Sequence, residues 1–289
     1  MNWDDARIFL AVARHGQMLG AAKALGLNHA TVARRLGALE RALGNTLFQR
    51  RTNGSALTAE GEAFLRHAEA MESATLAATA AVGGDVEGTV RVGAPDGFGV
   101  AYLAPRLGDL LAQHPGLRIE LVPVPRAFSL SRREADIAVT LERPREGRLI
   151  ARKLTDYRLG LYAARSYVAR HGLPATPDDL LAHPLVGYVD DLIYTSSLDY
   201  TAAFLKNWRT TLAISSAMGQ TEAVRAGAGI GVLHRFMARD DAGLVAVLPE
   251  HIVTRSYWTV VHEDLRNLRR VALVANFLST IVQRDKAIF

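Results

Sequence analysis

Arginines at positions 34, 35, 41, 50 and 51 fall close together, and the apolar residues between them leave most of them on a free face. Val32, Leu36, Leu39 and Leu43 recur at steps of four, three and four, which puts them on one helical stripe about 60° wide. Ala30, Thr31, Arg34, Ala38 and Arg41 point away from that stripe, and Arg35 sits on its flank. Long cations on an open helix face, with Asn28 and His29 at its start, suit ionic contacts to phosphates and paired hydrogen bonds to base edges. An ordinary amphipathic helix with solvated arginines has the same periodicity, so the neighbouring elements decide between the two.

Those elements form a compact unit. Asn28 is a preferred N-cap residue, and Gly26 permits a tight turn from a preceding helix, GAAKAL, at 20–25. Residues 4–14 carry Ile8, Phe9, Val12 and Ala13 on one face and end at Gly16, which predicts a first helix packed beneath the other two. The segment QRRTNGSALT, 49–58, holds an Asn-Gly turn signal between short extended stretches and reads as a wing. Thr58 can cap a long helix to about Val82, with Glu60 and Glu62 in its first turn. Along that helix Leu57, Gly61, Phe64, Ala68, Met71, Thr75, Ala78 and Val82 form a narrow seam suited to pairing with an identical helix or to packing on the chain's own domains. Gly83-Gly84 break it, and DVEG follows as a linker.

Charge supports the first reading. Net charge is +5 over 289 residues, and residues 1–60 hold eight basic against four acidic side chains. A basic end on a nearly neutral remainder is what a nucleic-acid-binding unit joined to another domain shows. The absence of cysteine excludes disulfides, thiolate metal sites and thiol redox chemistry. The opening residues MNWDD carry no readable signal peptide and no apolar run is long enough for a span. The expectation is a cytoplasmic protein with no membrane partner.

From Thr89 onward strand-like and helix-like segments alternate. TVRVGA, LRIELVPV, DIAVTL, RLGLYA, PLVGY, TLAIS, GIGVL, LVAVL and YWTVV read as strands, and residues 100–114, 165–172 and 220–228 as helices between them. The pattern predicts parallel-rich sheets covered by helices, in two lobes with a ligand crevice between them.

The order of these features resembles the LysR-type transcriptional regulators over essentially the whole chain. The run LExxLGxxLFxR, Leu39 to Arg50, followed by LTxxG, Leu57 to Gly61, carries the resemblance, with Phe9, Gly16, Ala21-Ala22, Leu25 and Val32 before it. Looser matches follow at ADIAV (135–139), PDDLLAHPLV (177–186) and AVRAGAGIGVL (223–233). The resemblance implies an α+β multi-domain chain: a winged helix-turn-helix at 1–58, a linker and dimerisation helix at 59–88, and an effector-binding domain at 89–289 like periplasmic solute-binding proteins. Its lobe I would take about 89–162 and 260–289, and lobe II about 163–259. Implied partners are double-stranded promoter DNA, RNA polymerase, a small-molecule effector and further copies of the chain as a homodimer or homotetramer. No cofactor and no metal are implied. Gln17, Met18 and Leu19 stand where the family usually has serine and further hydroxyl residues, Asn28-His29 replace a common Ser-Gln pair and Ala33 a common serine. Base preference therefore does not carry over from relatives.

Expected site residues follow from placement. Asn28, His29, Thr31 and Arg35 lie in the first two turns of the second motif helix, where base edges are met. Arg34, Arg50 and Arg51 are placed to reach phosphates. In the C-terminal domain, Pro95-Asp96-Gly97-Phe98-Gly99 ends a strand ahead of a helix expected to begin at Val100, a place where backbone amides bind anions. Asp96 would repel a carboxylate there and favours an effector with hydroxyl or amine groups, or a water-mediated contact. Gly97, Phe98, Phe128, Thr140, Tyr194, Thr195, Ser196, Met218 and Gln220 could line the same crevice, with Glu142 beside Thr140.

Other classes fit less well. GAGIG at 227–231 has a helix before it and a strand after it, the reverse of a dinucleotide loop, and GxSxG, HExxH and P-loop patterns are missing. An enzyme is therefore not expected. A solute-binding protein would have no use for residues 1–85, and a nucleoid-type binder would not respond to ligands.

Overall fold

The computed structural model describes residues 3–51, 54–82, 86–124, 134–144 and 146–289. The chain divides into two compact units, an N-terminal one built mainly on Met1–Gly84 and a C-terminal one holding most of the rest.

The N-terminal unit starts with α1 (Trp3–His15), α2 (Met18–Leu25) and α3 (His29–Leu43). Asn28 caps α3 by accepting the Thr31 amide at 2.7 Å. Gly26 and Gly44 end α2 and α3 in the left-handed conformation, with φ of 64° and 67°, which glycine adopts without strain. The wing is an antiparallel pair, β1 (Phe48–Arg51) and β2 (Gly54–Leu57), with Phe48 opposite Leu57 and Arg51 opposite Gly54. Glu40 sets its root: Oε1 accepts the amides of Leu47 at 2.7 Å and Phe48 at 3.2 Å.

A long helix, α4 (Ala59–Val82), begins at a Thr58 cap that accepts the Gly61 amide at 2.9 Å. Phe64 meets Phe9 edge-on at 4.9 Å, and Phe9 also meets Phe48 at 5.2 Å. Leu57, Phe64, Ala68 and Met71 pack on the same core as Ile8, Phe9, Val32, Leu36 and Leu39. The first half of the α4 seam is thus spent inside this unit, where apolar burial favours it, and is not a free pairing surface. The side chains of Ala78 and Val82 lie outside the described residues.

The C-terminal unit is one eight-stranded sheet. Its elements are β3 (Gly88–Ala94), a π-helical turn at Phe98–Leu103, α5 (Leu107–Gln113), β4 (Leu117–Pro123), β5 (Ile137–Thr140), β6 (Leu149–Ala164), α6 (Arg165–His171), β7 (Leu185–Gly187), β8 (Leu212–Ala213), α7 (Ala217–Arg225), β9 (Ile230–His234), α8 (Arg235–Ala238), β10 (Leu244–His262) and α9 (Arg269–Arg284). Strand order is β4-β3-β5-β10-β6-β9-β7-β8. The outer pairs β3–β4, β3–β5, β7–β9 and β7–β8 are parallel, whereas β5–β10, β10–β6 and β6–β9 are antiparallel. The sheet is therefore mixed, parallel toward both edges and antiparallel at its centre. LVAVL and YWTVV, expected as two strands, are one long β10 with register shifts after Val247 and Tyr257. Leu248, at the first shift, holds φ of 47°, a strained value for a branched side chain. Because β6 and β10 pair along nearly their whole lengths, they run through both lobes and fix each to the other.

Candidate functional site

The open face of α3 carries the first constellation. His29 and Arg34 are exposed, and Arg34 has no carboxylate partner among the described residues. Asn28 Oδ1 accepts the Thr31 amide, and its side-chain N–H groups remain to read an acceptor. Arg35 departs from expectation. Its Nη2 and Nε donate to Asp5 Oδ1 at 2.7 and 3.0 Å, and Nη1 pairs with Asp4. A guanidinium forked between two carboxylates is held by its own unit and has few N–H groups left for a base. Periodicity placed it correctly on the flank but could not show that Asp4 and Asp5 of α1 lie opposite. Arg50 and Arg51 belong to β1, and their side chains lie outside the described residues.

The second constellation lies between the lobes. A small cavity is lined by Pro95, Asp96 and Gly97 from the end of β3, by Leu141, by Tyr157 and Tyr257 from the crossing strands, and by Tyr188, Tyr194, Tyr200, Gln220 and His234 from lobe II. Its free volume of about 30 Å³ is the room of one water molecule. Tyr157 stacks on Tyr257 at 4.1 Å and on His234 at 5.2 Å. Asp96 joins the lobes: Oδ2 accepts Ser216 Oγ–H at 2.6 Å and the Met218 amide at 3.2 Å, while Ser216 caps α7 by accepting the Gly219 amide at 3.1 Å. Gln220 donates to Ile214 O at 2.7 Å, which fixes its carbonyl toward Tyr200 Oη. Burial pushes the Tyr194 and Tyr200 hydroxyls well up, and Tyr188 and Asp96 push the same way. Burial pulls His234 down to about 4 against the attraction of Asp96, so the ring is neutral at pH 7.

Of the residues expected in the crevice, Asp96, Gly97, Tyr194 and Gln220 line this cavity. Phe98 does not. It is wholly buried behind the wall, with its ring 4.6 Å from Tyr257 and 5.1 Å from Tyr102. Met218 supplies only its amide to Asp96. Thr140 donates to Glu142 O, and Glu142 Oε1 in turn accepts Ser196 Oγ–H at 2.8 Å and the Ser197 amide at 3.0 Å. Hydrogen bonds from Thr195 and Ser196 hold the Glu142 carboxyl down to about 2, so these three residues form a clasp; Glu142 and Ser196 also line a second, wider cavity of about 720 Å³ with Arg143 and Arg255. At the anion site expected ahead of Val100, the Gly99 amide already donates to Pro95 O at 2.8 Å, and Gly97 packs closely enough that a Cβ there would stand 3.1 Å from Ala217. Phe128 lies outside the described residues.

Sequence reasoning missed Tyr157, Tyr188, Tyr200, Tyr257 and His234. Their one collective signal is scarcity: the chain has only eight tyrosines, and five of them meet here.

Residues 3–62 match a family described as bacterial regulatory helix-turn-helix protein, lysR family, and residues 83–282 match the LysR substrate binding domain. The Mau operon transcriptional activator of Paracoccus denitrificans is 30% identical over 287 residues, covering 97% of this chain and 96% of that protein. An HTH-type transcriptional regulator of Xanthomonas campestris pv. campestris is 33% identical over 183 residues, 62% of this chain and about half (53%) of that protein's length. Among solved structures, CrgA of Neisseria meningitidis, a LysR-type transcriptional regulator, aligns with a TM-score of 0.61 at 24% identity, over 98% of this chain and 99% of that one.

Proposed function

The chain belongs to the LysR family of bacterial helix-turn-helix regulators, and on that footing we propose how its residues divide the work. It is a transcriptional regulator, not an enzyme, with a DNA-binding unit and an effector-binding domain. DNA is read by His29, Thr31 and the free N–H groups of Asn28, and gripped at phosphates by Arg34, Arg50 and Arg51. Arg35 positions α3 on α1. The observation that carries this division is the contrast on one helix: Arg34 is exposed, whereas Arg35 is forked onto Asp4 and Asp5.

The effector site is the cavity of Asp96, Gly97, Tyr194 and Gln220, with the tyrosines around it. An effector that binds two assembly states of the regulator unequally shifts the balance between them. The working assembly is a homodimer or homotetramer that contacts RNA polymerase at a promoter in the cytoplasm. No helix among the described residues is long and apolar enough to cross a membrane. The domain limits are taken at 1–58, 59–88 and 89–289.

Selection of bound duplexes from a random pool by the full chain tests the reading. An interrupted inverted repeat, with half-sites about one helical turn or a multiple apart, is the expected product. A pool that stays random after selection would contradict it.

A further inference from the structure

We propose that the interlobe cavity recognises a small organic cation, a protonated amine, and rejects carboxylates. The inference rests on the reading of that cavity as the effector site. Three observations carry it.

Asp96 is the one charged side chain among the described residues of the wall. No arginine or lysine lines the cavity, and His234 is neutral at pH 7. A carboxylate placed here would meet a like charge with no counter-charge, whereas an ammonium group would find a partner in Asp96.

The place where an anion would bind is already taken. The N-terminus of α7 borders the cavity at Ala217, and its Met218 and Gly219 amides already go to the Asp96 carboxylate and to Ser216 Oγ. Asp96 Oδ1 keeps no protein partner among the described residues and is available to a donor.

The rest of the wall suits a cation. Five tyrosine rings surround the space, and ring faces attract ammonium groups, more strongly where water is excluded. The Tyr257 hydroxyl is fully buried and has no hydrogen-bond partner among the described residues, so it can accept an N–H from the ligand. The cavity holds only the charged head. Tyr194, 38% exposed at the rim, is the side chain that yields to the tail.

Calorimetric titration of the full chain at pH 7 with n-butylamine, 1-butanol and butyrate tests this, since the three differ in head charge and share one tail. The amine should bind roughly tenfold or more tighter than the alcohol, the strength of a charge-assisted hydrogen bond, and butyrate should bind most weakly. Asp96→Asn, which keeps an oxygen for Ser216 and Met218, should bring the amine to the level of the alcohol. Tyr257→Phe should weaken the amine several-fold without lowering the melting temperature of the free protein. Butyrate binding as tight as the amine and weakened by Tyr200→Phe or Gln220→Ala would overturn the cationic class and leave the cavity as the effector site. Amine binding that Asp96→Asn leaves unchanged would likewise overturn the class. Heats that no cavity variant alters, or no heat from any probe, would remove both readings.

Discussion

Asp96 Oδ2 lies 2.6 Å from Ser216 Oγ, so a carboxylate at the end of β3 in one lobe closes the N-terminus of α7 in the other. One oxygen thereby serves as interlobe tie and as helix cap. Ser216→Ala removes both the bond to Asp96 and the acceptor of the Gly219 amide. The expected loss is about 1–2 kcal/mol in the stability of the C-terminal unit, read as a lower denaturation midpoint. A midpoint within error of the parent would contradict the tie.

His234 makes stability depend on pH. Burial holds the folded ring at about 4 against an ordinary value of 6.5. Above pH 6.5 the ring is neutral folded or unfolded, and nothing is lost. As pH falls from 6.5 toward 4 the unfolded chain takes the proton first, and folding weakens by up to about 3 kcal/mol. His234→Gln should flatten that part of the curve in denaturant titrations at pH 7, 6, 5 and 4. Parallel curves for parent and variant would show that His234 is not the group.

Glu142 clasps the loop at 195–197 with a carboxyl held down to about 2. The contribution is present above the ordinary carboxylate range and is lost only as pH falls toward 2. Glu142→Gln exchanges a charged acceptor for a neutral one, and the Ser197 amide should exchange hydrogen several-fold faster. Unchanged exchange would remove the clasp.

Gly61 admits no side chain, because a Cβ there would stand 2.1 Å from Leu47 O. Gly61→Ala must push α4 off the wing root, at a cost of about 1–3 kcal/mol, visible as a lower melting temperature and weaker DNA binding. Gly108, with no heavy atom within 4 Å of a Cβ, is the control in which alanine is tolerated. Equal effects at the two positions would refute the argument.

How far the sequence told this in advance depended on whether the cause was local. In LExxLGxxLFxR the reasons are near ones for several fixed residues: Leu39 faces the core, Glu40 takes the amides of Leu47 and Phe48, and Gly44 turns the chain at φ 67°. Such causes leave a readable pattern. The partners of Arg35 sit thirty residues back on another helix, so the stripe alone does not show them. The seam of α4 was legible as a stripe, but a stripe does not say what covers it, and Phe9 and Phe48 cover its first half. In the cleft, Asp96 and Tyr194 could be placed by strand ends, whereas Tyr157, Tyr257 and His234 meet only because β6 and β10 cross both lobes. The same long pairing turned an expected parallel-rich sheet into one with an antiparallel centre.

The most direct measurement compares DNA binding across salt concentrations for the parent, Arg34→Ala and Arg35→Ala, with the folded fraction of each followed by thermal unfolding. Arg34→Ala should keep the melting temperature, weaken binding to selected and random duplexes alike, and reduce the slope of log affinity against log salt by about one. Arg35→Ala should lower the melting temperature by removing the ion pairs that tie α3 to α1, and leave the slope of the folded protein unchanged. An unchanged slope for Arg34→Ala, or the larger loss of slope at Arg35, would contradict the assignment of the exposed face of α3 to DNA.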